Sequence, residues 1–257
     1  MRLLAGVLLL VFISVSEEAP LRQTESGGIS GSPRATQGSP LSVYEILIRG
    51  GRVVDGTGAP SRLADVGIDK GRIAAVGTLT GATAATVIDA LGRTVSPGFI
   101  DVHTHADEVS DHPLAEHFVR MGITTVIAGN CGGSADDVAA AFRTIENTKV
   151  AVNYATLFGH NTVRRAVMGS ERRAPSAVEL ARMQALVDKA MADGAVGFST
   201  GLQYVPGTYA EQSEIVALAT AAAKTGGVYA THLRNEGTAI EAAVKEALDV
   251  GEASGLA

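Results

Sequence analysis

Cysteine occurs once in the 257 residues, at Cys131, and tryptophan not at all. A single thiol excludes an intramolecular disulfide framework and any zinc site assembled from several cysteines. Aromatic residues make up 4% of the chain, too few to suggest a platform on which nucleobases stack. Charge is sparse as well, at 19%, and its balance is acidic: 21 Lys and Arg against 27 Asp and Glu give a formal net charge of −6. That sign repels a polyphosphate backbone, so nucleic acid is not an expected partner. What is plentiful is apolar residue, at 46%, which excludes a disordered chain, and glycine, with 30 residues.

The N-terminus reads as a targeting segment. Met1-Arg2 precedes the apolar run Leu3–Val15, whose 13 residues fall short of the roughly 20 that span a bilayer comfortably. A basic start, an apolar run of this length and small residues before Glu17-Glu18 predict a signal peptide at 1–16, export, and no membrane attachment once it is removed. Residues 17–42 are rich in Ser, Gly and Pro without periodicity and are expected to be a linker.

From Tyr44 onward short β-type runs alternate with glycine turns. Ile46–Arg49, Arg52–Asp55, Asp65–Asp69 and Arg72–Val76 are strand candidates, and Lys70-Gly71 is a hairpin turn. Residues 43–97 are therefore expected to form a small all-β module. After Gly98 the pattern changes to near-continuous apolar strands starting at Phe99, Ile123, Val150, Ala195 and Val228, with amphipathic helical stretches between them. Alternation of that kind specifies parallel βα units, either in a (β/α)8 barrel or in an open doubly wound sheet. No Gly-x-Gly-x-x-Gly follows the first of these strands, which removes the main reason to prefer a dinucleotide fold. The expected class is α/β: a partial, TIM-like (β/α)8 barrel over 98–257. Only about five βα units fit where a closed barrel has eight, so the chain is read as the N-terminal part of a longer protein.

Polar residues at the strand ends carry the chemistry. In Asp101-Val102-His103-Thr104-His105 the two histidines are two apart, so on a strand both imidazoles share one face and can serve one metal. Cys131, flanked by Gly129, Gly132 and Gly133, ends the second strand and is either a thiolate ligand or a small buried residue. His232 ends the fifth strand. His160, at the end of the third, is a metal ligand or a contact to substrate or to another ligand. His112 and His117 are assigned no function.

The segments PGFIDVHTHAD, GNCGG, GHNTVR, GAVGFSTGLQYVPGTYA and GGVYATHLRNEG occur in that order. In these the chain resembles the N-acyl-D-amino-acid deacylases (D-aminoacylases) of the amidohydrolase superfamily, over about residues 44–257. The resemblance implies a zinc hydrolase with one or two ions on a TIM-like barrel, with the module at 43–97 a small β-sandwich beside it. His103 and His105 would serve one metal position, and Cys131 and His232 the more tightly held one. Its substrate would be a small N-acyl-D-amino acid or related amide, cleaved by metal-activated water. A carboxylate substrate calls for an arginine; Arg164 and Arg234 lie in the matching motifs, although both could be structural ion-pair partners. Tyr204 is a candidate wall of the side-chain pocket. The family pattern continues with a further zinc-binding histidine and a general acid/base aspartate beyond Ala257, so the 257-residue chain alone is expected to be inactive. Two alternatives stand beside this reading: a Cys–His nucleophilic hydrolase with Cys131 as nucleophile, and a non-catalytic exported binding protein.

Overall fold

The computed structural model describes residues 43–256; the signal peptide expected at 1–16 and the linker expected at 17–42 lie outside the described residues. The described chain divides into two compact units, one ending at Gly98 and the other beginning at Phe99.

In the first unit β1 (Val43–Val53), β2 (Arg62–Asp69), β3 (Arg72–Gly77), β4 (Thr83–Asp89) and β5 (Thr94–Val95) form a single sheet. The order is β3-β2-β1-β4, with β5 also on β1; β2 and β3 are antiparallel neighbours, while β4 and β5 join β1 in parallel. Lys70 and Gly71, at φ 51° and 68°, make the tight turn between β2 and β3. Gly50 and Gly51 do not separate two strands as expected. Strand β1 runs through them, and its register against β2 shifts between Ile48 and Gly51, as a bulge requires. Adjacent on the strand, Leu47 and Ile48 face opposite sides: Leu47 packs with Leu79 and Ala82, whereas Ile48 packs with Val66 and Ile68. The expected sandwich is thus corrected to one mixed sheet. All five strands of this unit belong to one hydrogen-bonded sheet.

The second unit alternates strand and helix: β6 (Phe99–Asp101), α1 (Glu116–Arg120), β7 (Ile123–Ala128), α2 (Val138–Thr148), β8 (Asn153–Thr156), β9 (Phe158–Gly159), α3 (His160–Met168), α4 (Ala177–Ala192), β10 (Gly197–Gly201), α5 (Gln212–Ala223), β11 (Val228–His232) and α6 (Ile240–Ser254). Every strand pairing is parallel, in the orders β6-β7-β8 and β9-β10-β11. The third strand breaks at Leu157. Hydrogen bonding still continues across the break, since Leu157 N donates to Ala128 O and Val196 N to Thr156 O, both at 2.9 Å. Five consecutive parallel strands with helices between them are part of a TIM-like barrel.

Helix α4 begins as its sequence dictates. Ser176 Oγ accepts from Glu179 N at 3.3 Å, and the Glu179 carboxylate accepts from Ser176 N at 2.8 Å. The faces of α3, α4, α5 and α6 meet β10 in one core that includes Val163, Val187, Phe198, Leu218 and Val250. Phe198 is fully buried at its centre, a burial that stabilises by about 1.5–3 kcal/mol. Among the described residues no helix is long and apolar enough to cross a membrane.

Candidate metal centre

The C-terminal ends of β6, β7, β10 and β11 bring the chemistry-bearing residues together. Strand β6 stops at Asp101, so His103 and His105 lie in the irregular stretch after it rather than on the strand itself. Their alternation nevertheless survives. Thr104 between them turns inward, 6% exposed, and both its backbone N–H (3.1 Å) and its hydroxyl (2.9 Å) donate to Ile127 O at the end of β7. With Thr104 pinned, the two imidazoles project to the other side, exposed, with ring centroids 5.9 Å apart.

Cys131 follows β7 in the left-handed region at φ 55°, flanked by Gly129 (72°) and Gly132 (77°). A left-handed residue with a Cβ is strained by roughly 1–2 kcal/mol, so the surrounding backbone must hold it there. It does so by close approach: a Cβ on Gly129 would collide with Leu157 O, and one on Gly201 with Cys131 O. Asn130 adds a tie to the histidine segment, donating through Nδ2 to Thr104 O at 3.3 Å and Ile127 O at 2.9 Å.

The result is a cluster. Donor atoms of His103, His105 and Cys131 lie within 4.8 Å of one another. Cys131 Sγ is 3.5 Å from His103 Nε2 and 3.8 Å from His232 Nδ1. His232, the last residue of β11, has its tautomer set by its neighbours. Its Nε2 faces the Gln203 side-chain oxygen at 2.9 Å and Glu236 Oε1 at 3.6 Å, both acceptors. The proton therefore belongs on Nε2, leaving the Nδ1 lone pair toward the thiol. Burial pushes the Cys131 thiol above its ordinary value, and the Glu236 carboxylate adds to that. Without a cation beside it, this sulfur stays protonated.

The donor set fits zinc. At a tetrahedral zinc, bonds of about 2.3 Å to sulfur and 2.0–2.1 Å to nitrogen put the two donors about 3.5 Å apart, the separation of Cys131 and His103. Thiolate with imidazole suits zinc rather than magnesium or calcium, which take oxygen. A cavity of about 370 Å³ opens beside the cluster, and His105, Asp107, Asn130, Cys131, Arg165 and Tyr204 are among its lining residues. Tyr204 Oη also lies 3.3 Å from His232 Nδ1.

Three of the expected substrate contacts are elsewhere. Arg164 is fully buried; it donates to Glu214 at 2.5 Å, Glu171 O at 3.2 Å and Arg173 O at 2.6 Å. His160 is the first residue of α3, not a strand-end residue, and its Nε2 is 2.9 Å from Glu214 Oε1. Burial alone would raise the Glu214 carboxyl, but the bonds from His160 and Arg164 outweigh it and hold it below its ordinary value. Arg234 pairs with Glu246 at 2.8 Å and caps Thr208 O and Ala210 O. All three are corrected to structural roles, since their polar atoms are engaged within the protein and none lines the cavity. Sequence reasoning missed Thr104, Asn130, Gln203 and Arg165. For Arg165 a signal existed. His160, Val163, Arg164 and Met168 share the buried face of α3, and the residue after Arg164 is turned about 100° away from it.

A model of the amidohydrolase family matches residues 86–256. The chain is 43% identical over 236 residues to the N-acyl-D-glutamate deacylase of Alcaligenes xylosoxydans xylosoxydans, covering 83% of this chain and 48% of that protein. To the D-aminoacylase of the same organism it is 38% identical over 233 residues, covering 81% and 48%. The crystal structure of N-acyl-D-glutamate deacylase from Bordetella bronchiseptica, complexed with zinc and a phosphonate inhibitor that mimics the tetrahedral intermediate, superposes with a TM-score of 0.81. It is 40% identical, over 83% of this chain and 50% of that one. The chain thus spans about half the length of the curated relatives it matches.

Proposed function

The chain belongs to the amidohydrolase family, and on that premise we propose that it carries the metal-binding part of a zinc-dependent hydrolase. The bond cleaved is the amide of an N-acyl-D-amino acid, giving a carboxylate and a D-amino acid. One observation carries the reading: two imidazoles and the chain's one thiol converge, with a sulfur–nitrogen separation of 3.5 Å, at the mouth of the parallel strands. The relatives named above contribute the substrate class.

The roles of this chain's residues follow from their positions. His103, His105, Cys131 and His232 would hold the metal. Bound there, zinc supplies Lewis-acid polarisation of the amide carbonyl and brings the acidity of water toward neutrality. Thr104 and Asn130 keep the histidine segment against the cysteine loop, and Gln203 with Glu236 keeps the proton of His232 on Nε2. Tyr204, beside His232, forms a wall of the cavity. A cysteine nucleophile needs one imidazole as base, whereas His103, His105 and His232 all gather around Cys131, a surplus that favours the metal reading.

The test uses the full reading frame in which this sequence lies, purified with zinc. Cys131→Ala should lower zinc affinity more than about 100-fold and abolish hydrolysis of N-acetyl-D-methionine and N-acetyl-D-glutamate. Retention of zinc and turnover by that variant would make Cys131 a packing residue and remove the proposal.

A further inference from the structure

The metal cluster rests on a turn that cysteine does not favour. Cys131 and Gly132, at φ 55° and 77°, are the central pair of a turn closed by Gly133 N donating to Asn130 O at 3.1 Å. Positive φ at both central positions is the habit of Gly, Asn and Asp. A cysteine left to itself there would relax to negative φ, and its Sγ would swing away from the histidines. Something outside the turn must prevent this. Two constraints come from helix α3, where Asn161 N and Thr162 N both donate to Gly132 O, at 2.8 Å and 3.2 Å. A third comes from a strand.

Ser199 is the middle residue of β10 and is fully buried. Its hydroxyl accepts from Gly132 N at 3.1 Å and donates to Gly129 O at 2.5 Å. These two backbone groups bracket Asn130 and Cys131, so the hydroxyl bridges the turn, and Gly132 is held at both its N–H and its carbonyl. The position of Ser199 matters as much as its bonds. By alternation Ser199 and Gly201 share one face of β10, and Gly201 is paired with His232 of β11. Cys131 instead follows β7, which belongs to the other run of three strands. Ser199 therefore ties the loop that carries the thiol to the strand beside the one that carries the imidazole, over sequence separations of 67 and 70 residues. Thr200, the next residue, points the other way, and its hydroxyl meets Tyr229 Oη at 2.9 Å and Thr231 Oγ1 at 2.7 Å.

We propose that Ser199 is a positioning residue of the metal centre: its hydroxyl bridge holds Cys131 in the left-handed region, with Sγ toward His103 and His232. The inference deepens the metal-site reading and rests on it, since Ser199 acts through Cys131. Its consequence is preorganisation. A loop fixed by bonds within the protein loses little freedom on coordination, so its thiolate binds more tightly than the same group on a loose turn.

The test compares the protein from the full reading frame with its Ser199→Ala and Thr200→Val variants. Each substitution deletes one fully buried hydroxyl of β10, on opposite faces of the strand, so a loss that only reflects a weakened strand should appear in both. Zinc affinity against a competing chelator should fall about 10- to 100-fold in Ser199→Ala and by less than about twofold in Thr200→Val. With cobalt in place of zinc, the thiolate-to-metal charge-transfer band should weaken or shift in Ser199→Ala and match the parent in Thr200→Val. Hydrogen exchange of the zinc-free parent tests the bridge without any variant. The Gly132 amide, whose acceptor is Ser199 Oγ, should exchange as slowly as the amides of β10. Should Ser199→Ala fail to fold, that measurement decides alone. Parental zinc affinity with an unaltered cobalt band in Ser199→Ala, equal losses in the two variants, or rapid exchange of the Gly132 amide without zinc would each overturn the role of Ser199 while leaving the hydrolase reading intact. A parent protein that binds no zinc would refute the metal centre itself, and the role of Ser199 with it.

Discussion

Glu214→Gln should be among the most damaging conservative substitutions in the second unit, for electrostatic rather than steric reasons. Glu214 sits on α5 at 3% exposure, and its two carboxylate oxygens face two buried groups of α3, His160 Nε2 at 2.9 Å and Arg164 Nη1 at 2.5 Å. Glutamine has the same shape but a single acceptor oxygen, so one of those donors would face an N–H₂ group. More important, the Arg164 guanidinium, fully buried and already without a partner at Nε, would lose its counter-charge. Breaking a buried ion pair on one side costs about 3–5 kcal/mol. For a unit of this size each kcal/mol moves the melting temperature by about 2–4 °C, so Tm should drop by about 6–20 °C. Calorimetry or circular dichroism on the purified variant measures this, with Glu252→Gln on the exposed side of α6 as a control. Acid titration gives an independent signature. Because the folded Glu214 carboxyl lies below its ordinary value, its contribution is present above the unfolded-state pKa near 4.5. It is lost as pH falls through the lower folded value. The parent should therefore lose stability over that acid range more steeply than Glu214→Gln. A variant melting within about 2 °C of the parent, with an unchanged acid limb, would refute this account of the α3–α5 contact.

Asn130→Ala removes the one bond it donates to the histidine segment, at Thr104 O, and a local bond to Ile127 O, without touching a ligand. Zinc affinity measured against a competing chelator should fall about 10- to 100-fold, and an unchanged affinity would mean that Thr104 alone holds the segment. Gly201→Ala places a Cβ against the carbonyl of Cys131. It should cost at least about 2 kcal/mol and lower zinc content, whereas Gly237→Ala, whose Cβ would meet only Asn235 Oδ1 at 3.6 Å, should be near neutral; equal effects from the two would show that the loop yields freely.

The strand-and-helix alternation after Gly98 was legible because parallel strands covered on both faces must be apolar almost throughout, and the helices between them must be amphipathic. Hydrophobic pattern therefore located all five strand positions. It failed where backbone rather than side chains decides the outcome. The Gly50-Gly51 pair reads as a turn, yet β1 continues through it as a bulge, because β2 and β4 hold it from either side. Helix α3 was hidden for a related reason. Its first turn, His160-Asn161-Thr162-Val163, carries three polar residues, and all four are buried, so no solvent-facing contrast marks a helix start.

The cluster shows the same division. A two-residue spacing is enough to put His103 and His105 on one side, because Thr104 must then face the other, and the glycines around Cys131 signal a backbone approached closely. Arginines carry no such spacing. Arg164 and Arg165 are identical in type and adjacent in sequence, and only the helical rotation of about 100° between them sends one to Glu214 in the core and the other to the cavity. A motif can therefore contain the right residue type and still point to the wrong residue. A side chain must be accessible to meet a ligand, and Arg164 is not. Arg164, fully buried against a carboxylate and two carbonyls, is part of the frame, whatever its motif suggests.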